Sequence, residues 1–270
     1  MAQLDEIAPL LRRLAARRAG GVRAASYWSG VHEGRPIAVA VSGMGRRRAR
    51  AAAAALLDRS GASQLLVVGV AGALTAGLEV GELVVAQAIA TERDAVLRAE
   101  PGDLRPAREL GARPVCVVTV DRMVATPEDR RALLRWVPAE SPRPRSGAGE
   151  GAPSETAGGA WPERTAGAVA PAVVDMESYD AVVEAIARGV PATVLRAVSD
   201  TAADTLPSFL ERCRRPDGDL DRRRVVLGAV MRPRSIPALL ELRRRVLLCA
   251  ERLADPTLRL LAPSRGSGEG

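Results

Sequence analysis

Six short, almost continuously apolar runs alternate with longer stretches rich in alanine and leucine, and this alternation strongly constrains the fold. The runs have the length of strands, and helices are predicted over residues 46–57 and 177–188, where alanine dominates or apolar residues recur at helical spacing. Strands that are apolar on both faces and are separated by helices are typical of a mostly parallel sheet covered on both sides. We therefore expect an α/β fold with three layers, α/β/α, around a central mixed, mostly parallel sheet. The six predicted strands are residues 37–41, 65–70, 82–90, 115–120, 169–174 and 193–198.

Two segments depart from this pattern. Residues 141–160 are rich in Pro, Gly and Ser and hold almost no large apolar side chain, so they are expected to form a disordered surface loop. Residues 263–270 are expected to be a disordered tail. Because the loop lies between two core strands, it does not mark a domain boundary. We expect residues 1–262 to form a single domain.

The positive charge of the chain is concentrated near its C-terminal end. All 39 basic residues are arginine, and the formal net charge is +7. Residues 212–265 hold 14 arginines and six acidic residues, so this segment carries +8 and the rest of the chain −1. A nucleic-acid binder is disfavoured, because only 2% of the residues are aromatic and able to stack on bases. Residues 205–262 are instead predicted to be a basic C-terminal helical extension.

The helix predicted over residues 237–254 has two interpretations. Its apolar residues form one stripe, and Arg243, Arg244 and Arg245 form a charged face. The simpler interpretation is a surface helix packed on the sheet. The alternative is a basic amphipathic element that lies near an anionic membrane.

The composition favours a cytoplasmic protein that uses neither a metal nor a cofactor. The three cysteines are scattered and form no CxxC pair, which disfavours a disulfide framework and a zinc site. The absence of lysine excludes a Walker A phosphate loop. No run of 18 apolar residues is present to span a membrane, and the first residues lack the order of a signal peptide. We therefore expect reduced thiols and a cytoplasmic location.

Acidic side chains follow the last two predicted strands. Asp175 and Glu177 come after the fifth strand, and Ser199 and Asp200 follow the sixth. In open α/β sheets, ligands bind at the carboxyl ends of the strands. The simpler explanation is that these side chains cap the following helix. Together with two glycine-containing turns that let the backbone approach a ligand closely, they favour a site built from carboxylates and backbone groups.

The order of these motifs resembles that of the nucleoside phosphorylase and nucleosidase superfamily. A glycine-containing turn at residues 41–45 follows an early strand, and a second turn at residues 69–74 includes Ala71 and Gly72. A Gly-Glu-Leu-Val segment follows within residues 80–85, and the Asp-Met-Glu and Ser-Asp motifs come at similar separations. The resemblance covers roughly residues 6–202. It implies a phosphorylase/hydrolase-like fold, with Ala71 and Gly72 in contact with substrate.

The resemblance also implies roles for single residues. Glu177 resembles the glutamate that binds the ribose hydroxyls, and Met176 resembles the methionine that lies against the sugar. Asp200 resembles the catalytic aspartate that protonates the purine at N7 as the base leaves, with Ser199 orienting it. Met123 stands where adenine-specific nucleosidases stack an aromatic ring on the base. A carboxylic acid beside the base and a carboxylate at the hydroxyls suit an oxocarbenium-like transition state.

The chain departs from the family pattern in two places. Glu6 is the best match for the catalytic glutamate that activates the attacking water, but the strand expected before it is missing. Either the start is truncated or the sheet has lost one edge of its site, so the fold is expected to lack its first strand. Val70 stands where relatives often carry a hydroxyl residue, and no Gly-Asp-Pro-like phosphate loop is found. These absences favour a hydrolase over a phosphorylase.

The C-terminal part of the chain resembles the hopanoid-associated nucleosidases of bacteria, through residues 215–224 and 232–240. This resemblance implies cleavage of adenosylhopane to ribosylhopane and adenine in hopanoid biosynthesis. It also implies a substrate with a lipid tail, peripheral contact with the inner face of the membrane, a homo-oligomer such as a dimer, and no nucleic-acid partner. The alternatives are a methylthioadenosine/adenosylhomocysteine nucleosidase, a purine nucleoside phosphorylase, and a catalytically impaired nucleoside-binding homologue.

Overall fold

The computed structural model describes residues 4–22, 25–93, 97–98, 104–138, 170–213, 215 and 221–262. The strands in these ranges are β1 (Arg17–Val22), β2 (Ala25–His32), β3 (Arg35–Val41), β4 (Leu65–Ala73), β5 (Leu83–Thr91), β6 (Leu97–Arg98), β7 (Arg113–Thr119), β8 (Ala172–Asp175) and β9 (Ala192–Asp200). The α-helices are α1 (Ala8–Arg13), α2 (Arg46–Ser60), α3 (Arg105–Glu109), α4 (Pro127–Leu133), α5 (Ser178–Ile186), α6 (Phe209–Arg212), α7 (Arg222–Met231) and α8 (Ile236–Leu261). A 3₁₀ turn at Leu4–Glu6 precedes α1.

Six strands form the central sheet, in the order β6-β5-β7-β8-β4-β9. β5, β7 and β8 run parallel to one another, and β4 runs parallel to β9. The two groups run in opposite directions and meet where Gly72 of β4 pairs with Val174 of β8. β5 also pairs antiparallel with β9, which closes five of these strands into a ring. The prediction of a mixed, mostly parallel sheet is confirmed.

Helices cover both faces of the central sheet, as the three-layer prediction requires. α2 and α5 pack together on one face, where small residues such as Ala53 and Ala185 let the helices approach the strands closely. α8 covers the other face, with Cys249 and Leu253 against Val68 of β4 and neighbouring strand residues. The buried core consists mainly of Ala, Val and Leu, in keeping with the low aromatic content.

β1, β2 and β3 form a separate antiparallel sheet. In the described residues, β3 pairs only with β2, and β4 before Gly72 pairs only with β9. The other edges of β3 and β4 both line a cavity of about 510 Å³, together with residues of α2. The description begins with the turn at Leu4–Glu6, so the expected lack of a first strand stays a prediction. The cavity separates the two sheets at this place.

β4 and β9 are longer than the sequence predicts. Residues 69–72 are expected to form a turn, but they belong to β4, which continues to Ala73. Ser199 and Asp200 are likewise the last two residues of β9 and do not follow it. The physical reason is mutual pairing, since hydrogen bonding between the two strands continues as far as Gly72 and Asp200.

α8 is longer than predicted, because it continues through Pro256 to Leu261. Its apolar stripe packs on the sheet, as the simpler interpretation predicts. The predicted charged face is only partly correct. Arg243 and Arg244 are exposed, but Arg245 is half-buried and pairs with Asp204 at 2.8 Å and with Glu241 at 2.9 Å.

The domain organisation is only partly covered by the described residues. α6, α7 and α8 supply helices in the predicted extension, residues 205–262. The predicted loop at residues 141–160 and the predicted tail at residues 263–270 lie outside the described residues. A single domain over residues 1–262 stays a prediction. No helix in the described part of the chain has both the length and the hydropathy needed to cross a bilayer.

Candidate functional site

All eight residues that the sequence assigns to a site line one cavity of about 330 Å³. The cavity lies where β4, β8 and β9 end and where the turn at Leu4–Glu6 approaches them. The predicted residues in its wall are Glu6, Ala71, Gly72, Met123, Met176, Glu177, Ser199 and Asp200.

The carboxyl ends meet in a different way from that predicted. In a single parallel sheet, all carboxyl ends share one edge. Here β8 and β9 belong to groups of opposite direction. Their carboxyl ends approach each other because the last residues of β4 pair antiparallel with the last residues of β8, at Gly72–Val174 and Ala73–Val173. This pairing brings Glu177 and Asp200 to the same cavity.

Arg196 is the centre of a buried charge cluster beneath the cavity. It lies in β9 and is only 1% exposed. Its Nη2 donates to Asp175 Oδ2 at 2.5 Å and to Ser178 Oγ at 2.9 Å, and it lies 3.8 Å from Glu177 Oε2. A buried arginine requires such acidic partners, because an uncompensated charge in the interior is strongly unfavourable.

Asp175 has a structural position at this cluster. Its carboxylate accepts hydrogen bonds from the backbone N–H and the hydroxyl of Ser178, the first residue of α5, and from Thr119 Oγ1 at 2.7 Å. The capping explanation is therefore only partly correct for Asp175, which accepts from the first N–H of α5 although the N-cap residue is Glu177. It is wrong for Ser199 and Asp200, because Ser199 donates to Asp200 and no helix begins directly after them.

Glu6 and Glu177 are two buried carboxyl groups on the same side of the cavity. Burial, reinforced by the nearby charge of Glu177, raises the pKa of Glu6 to about 7. Glu6 Oε2 has no hydrogen-bond partner in the part of the chain that the structure describes. Burial also raises the pKa of Glu177, although Arg196 and the backbone N–H of Gly45, which donates to Oε1 at 3.0 Å, act in the opposite direction. The pair can hold a proton near neutral pH.

Asp200 is held by two side chains and by the backbone near Gly72. Arg130, which is 1% exposed, donates from Nη2 to Asp200 Oδ2, and from Nη1 to the carbonyl oxygen of Ala73 at 2.9 Å. Ser199 Oγ donates to Asp200 Oδ1 at 2.5 Å. A Cβ atom at Gly72 would lie 2.7 Å from Asp200 Oδ2, so no side chain fits there. The close backbone approach predicted for this segment therefore occurs, but within a strand.

The opposite wall of the cavity is apolar and comes from the C-terminal helices. Met123 borders it, packing against the cluster that includes Phe209 and Leu210 of α6. α7 and α8 complete the wall, and the side chains of this region that line the cavity are Leu206, Leu210, Val225, Leu239, Leu242, Val246 and Leu247. The cavity thus has a charged end at the strand termini and an apolar end at the helices.

Two residues that contact side chains of the site, Arg130 and Arg196, are not predicted from the sequence. Arg196 could have been predicted, because a charged residue inside an apolar strand must find a buried partner. The sequence does not distinguish Arg130 from Arg131, since the two are adjacent in a short helix and only Arg130 is buried. The direction of each side chain depends on how α4 packs.

Comparisons with known proteins agree on the fold. A family model, the phosphorylase superfamily, matches residues 1–215. The futalosine hydrolase of Helicobacter pylori has a TM-score of 0.65 at 17% identity, covering 96% of this chain and 94% of that chain. The 5'-methylthioadenosine/S-adenosylhomocysteine nucleosidase from Colwellia psychrerythraea has a TM-score of 0.64 at 17% identity, covering 96% and 91%. The S-adenosylhomocysteine nucleosidase from Streptococcus pyogenes has a TM-score of 0.65 at 18% identity, covering 96% and 93%. No curated protein matches the chain.

Proposed function

The chain belongs to the phosphorylase superfamily, and we propose that it hydrolyses the N-glycosidic bond of an adenine nucleoside. The observation that carries this proposal is the convergence of Glu6, Glu177 and Asp200 on one cavity with a charged end and an apolar end. The names of the similar solved structures, two nucleosidases and a futalosine hydrolase, support the same reaction class.

Glu6 is the proposed base that activates the attacking water. A general base works best when its pKa lies near the working pH, and burial raises the pKa of Glu6 to about 7. Its Oε2 atom is buried and has no hydrogen-bond partner among the described residues, and in this proposal it accepts the proton of the attacking water. The water oxygen forms the new bond to C1′ of the ribose as the bond to the base breaks.

Glu177 and Met176 are proposed to hold the ribose. The Glu177 carboxylate accepts from the backbone N–H of Gly45, which fixes it beside the cavity. In this role it accepts hydrogen bonds from the sugar hydroxyls, and its negative charge favours the oxocarbenium-like transition state. Met176 supplies an apolar contact to the sugar face.

Asp200 is the proposed general acid for the leaving base, with Ser199 and Met123 beside it. A protonated Asp200 would transfer its proton to N7 of adenine and become a carboxylate. Ser199 and Arg130 both donate to that carboxylate, so they stabilise the form that exists after proton transfer. Met123 lies in the wall where the flat face of the base would pack. Ala71 and Gly72 line the same cavity and are proposed to contact the substrate through their backbone.

Water is favoured over phosphate as the nucleophile. Val70 lines the cavity and offers no hydroxyl to a phosphate oxygen. The nearest buried arginine on that side, Arg196, is bonded to Asp175 and Ser178 and lies below the cavity wall. To use water as the nucleophile, the site needs a general base, and the carboxyl group of Glu6 is the proposed one.

The apolar end of the cavity supports a hydrophobic 5′ substituent. Our preferred substrate is adenosylhopane, cleaved to ribosylhopane and adenine in hopanoid biosynthesis. Such a substrate resides in a membrane, so the proposal includes a cytoplasmic dimer in peripheral contact with the inner face of the membrane. The second candidate is methylthioadenosine or adenosylhomocysteine, which the names of the similar structures favour.

Adenine release from the full chain tests the proposal. We expect release from adenosylhopane, with or without phosphate, at a higher kcat/KM than from methylthioadenosine or adenosylhomocysteine. Asp200→Asn should lower kcat by at least about 100-fold, because the leaving base loses its proton donor. The matched control is Asp58→Asn, which alters an exposed carboxylate that pairs with Arg188 at the surface.

Each contrary result has a distinct meaning. Release that strictly requires phosphate would show a phosphorylase, and faster release from methylthioadenosine would select the second candidate. Binding of adenine nucleosides without release of adenine would identify the chain as a catalytically impaired nucleoside-binding homologue. Full activity in the Asp200→Asn variant would remove Asp200 from the mechanism.

A further inference from the structure

α7 exposes the apolar side chains that a helix of a soluble domain normally buries. The outward side chains Val226, Leu227, Val230 and Met231 are each between 63% and 72% exposed. The inward side of the same helix packs Val225 and Gly228 against the cluster around Phe209. Isolated exposed apolar residues are common, but four on one helix face mark an interaction surface.

Exposed arginines lie at both ends of this α7 apolar face. Arg223 is exposed at the start of the helix, and Arg234 is exposed just after its end. Arg224 and Arg232 are exposed too, but Arg224 lies 3.7 Å from Asp221 and Arg232 packs over the ring of Phe209 on the inward side. The acidic residue nearest to the start, Asp221, is engaged as the N-cap, accepting from the backbone N–H of Arg223 at 3.0 Å. The face therefore combines an apolar centre with a cationic border.

We propose that the α7 apolar face docks on an anionic lipid bilayer. Apolar side chains that enter the acyl boundary and arginines that meet the headgroups are the two requirements for an amphipathic helix at a membrane surface. This inference deepens the proposed function by naming the surface that contacts the membrane, and the docking itself does not depend on the reaction.

A second copy of the chain satisfies these features less well. In a two-fold symmetric interface, the same patch meets itself, so the cationic borders with Arg223 and Arg234 would come close to each other. A nucleic acid is also a poor partner, because the centre of the face is aliphatic and offers no aromatic ring to a base. An anionic bilayer complements both the apolar centre and the cationic border.

The helix that carries the α7 apolar face also borders the cavity. Val225 of α7 lines the cavity from the inner side of the same helix. On α8, Arg243 and Leu247 are both exposed and also line the cavity, so they lie at its mouth. α7 and α8 thus both border the cavity, and in this proposal an apolar 5′ substituent enters from the bilayer through the mouth at α8.

Co-sedimentation of the full chain with vesicles tests the docking. We expect binding to phosphatidylcholine vesicles that contain phosphatidylglycerol, with weaker binding at high salt and to phosphatidylcholine alone. The double variant Leu227→Ser with Val230→Ser should bind at least about tenfold more weakly. The control is Val31→Ser with Ile186→Ser, whose side chains are similarly exposed on other elements. Arg223→Gln with Arg234→Gln should weaken binding and reduce its salt dependence.

Three results would overturn the inference. The first is wild-type protein that binds anionic vesicles no better than neutral ones. The second is equal binding by the α7 and control variants. The third is a wild-type dimer, seen by light scattering, that the α7 variant alone dissociates, which would assign the face to a second copy. Hydrolysis of water-soluble methylthioadenosine reports the cavity separately, so a failure of docking and a failure of the proposed activity are distinguishable.

Discussion

At the scale of single residues, two buried arginines organise the acidic groups of the site. Arg196 is fixed by Asp175 and Ser178, and Arg130 by Asp200 and a backbone carbonyl. The sequence places these acids at or near the carboxyl ends of strands, yet it gives their partners only in part. A carboxylate motif is visible from spacing, whereas a guanidinium that reaches it from another element depends on tertiary packing.

The Arg130–Asp200 pair leads to a prediction about stability. Arg130→Met should lower the free energy of unfolding by about 3 to 5 kcal/mol, because it leaves a buried carboxylate uncompensated. Combining it with Asp200→Asn should recover about 2 kcal/mol, since the amide needs no cation. Urea denaturation of the two single variants and the double variant measures this coupling.

Arg131, adjacent in α4, provides the control for this pair. It forms an exposed ion pair with Glu128, so Arg131→Met should cost less than about 1 kcal/mol. Strictly additive effects of Arg130→Met and Asp200→Asn would contradict the idea that the two side chains act as a pair.

At the scale of elements, the sequence identifies strands that are buried on both faces, but it does not identify strands that have one exposed face. The strands of the central sheet are visible as apolar runs, and α2 and α8 as long helical patterns. β1 and β2 were not predicted, because an antiparallel strand with an exposed face mixes polar and apolar residues, as Arg17–Val22 does. The ends of β4 and β9 were misplaced because pairing, and not composition, sets them.

The short helix α4 was also missed, although it carries Arg130 to the site. Its start depends on Thr126, whose Oγ1 accepts from the backbone N–H of Asp129 at 3.1 Å. Thr126→Ala should destabilise the protein by about 1 kcal/mol, because the helix loses its N-cap. Thr126→Ser retains the hydroxyl and should remain close to wild type. Equal losses in the two variants, measured by chemical denaturation, would show that the cap does not stabilise α4.

At the scale of the whole molecule, two strand groups of opposite direction share one sheet, and the site lies where the two groups pair. The sequence predicts that carboxyl ends gather at one edge, but it cannot reveal that β4 pairs antiparallel with β8 at Gly72. The convergence of Glu6 with Glu177 is equally non-local, because 171 positions separate them. Bringing these acids together in a buried place has an electrostatic cost that the whole fold must offset.

This cost predicts how the stability of the whole molecule depends on pH. The pKa of Glu6 is raised from 4.5 to about 7, so between these values the folded state binds a proton that the unfolded chain releases. Stability is therefore greatest below pH 4.5 as far as this group is concerned, and it falls as the pH rises towards 7, by up to about 3 kcal/mol. Glu177, whose pKa is also raised, acts in the same direction. Carboxylates with lowered pKa values, such as Glu241, stabilise the folded state throughout this pH range and lose that contribution only below about pH 4.5.

Glu6→Gln should remove most of this pH dependence, since an amide stays neutral in both the folded and the unfolded chain. Urea denaturation at pH 5 and at pH 7.5 measures the slope for the wild type, for Glu6→Gln and for the exposed control Glu109→Gln. The wild type and the control should lose stability at the higher pH, and Glu6→Gln should lose much less. An unchanged slope in Glu6→Gln would mean that Glu6 ionises freely in the folded protein. Its proposed role as the base that activates water would then lack a basis, because that role depends on a proton held near pH 7.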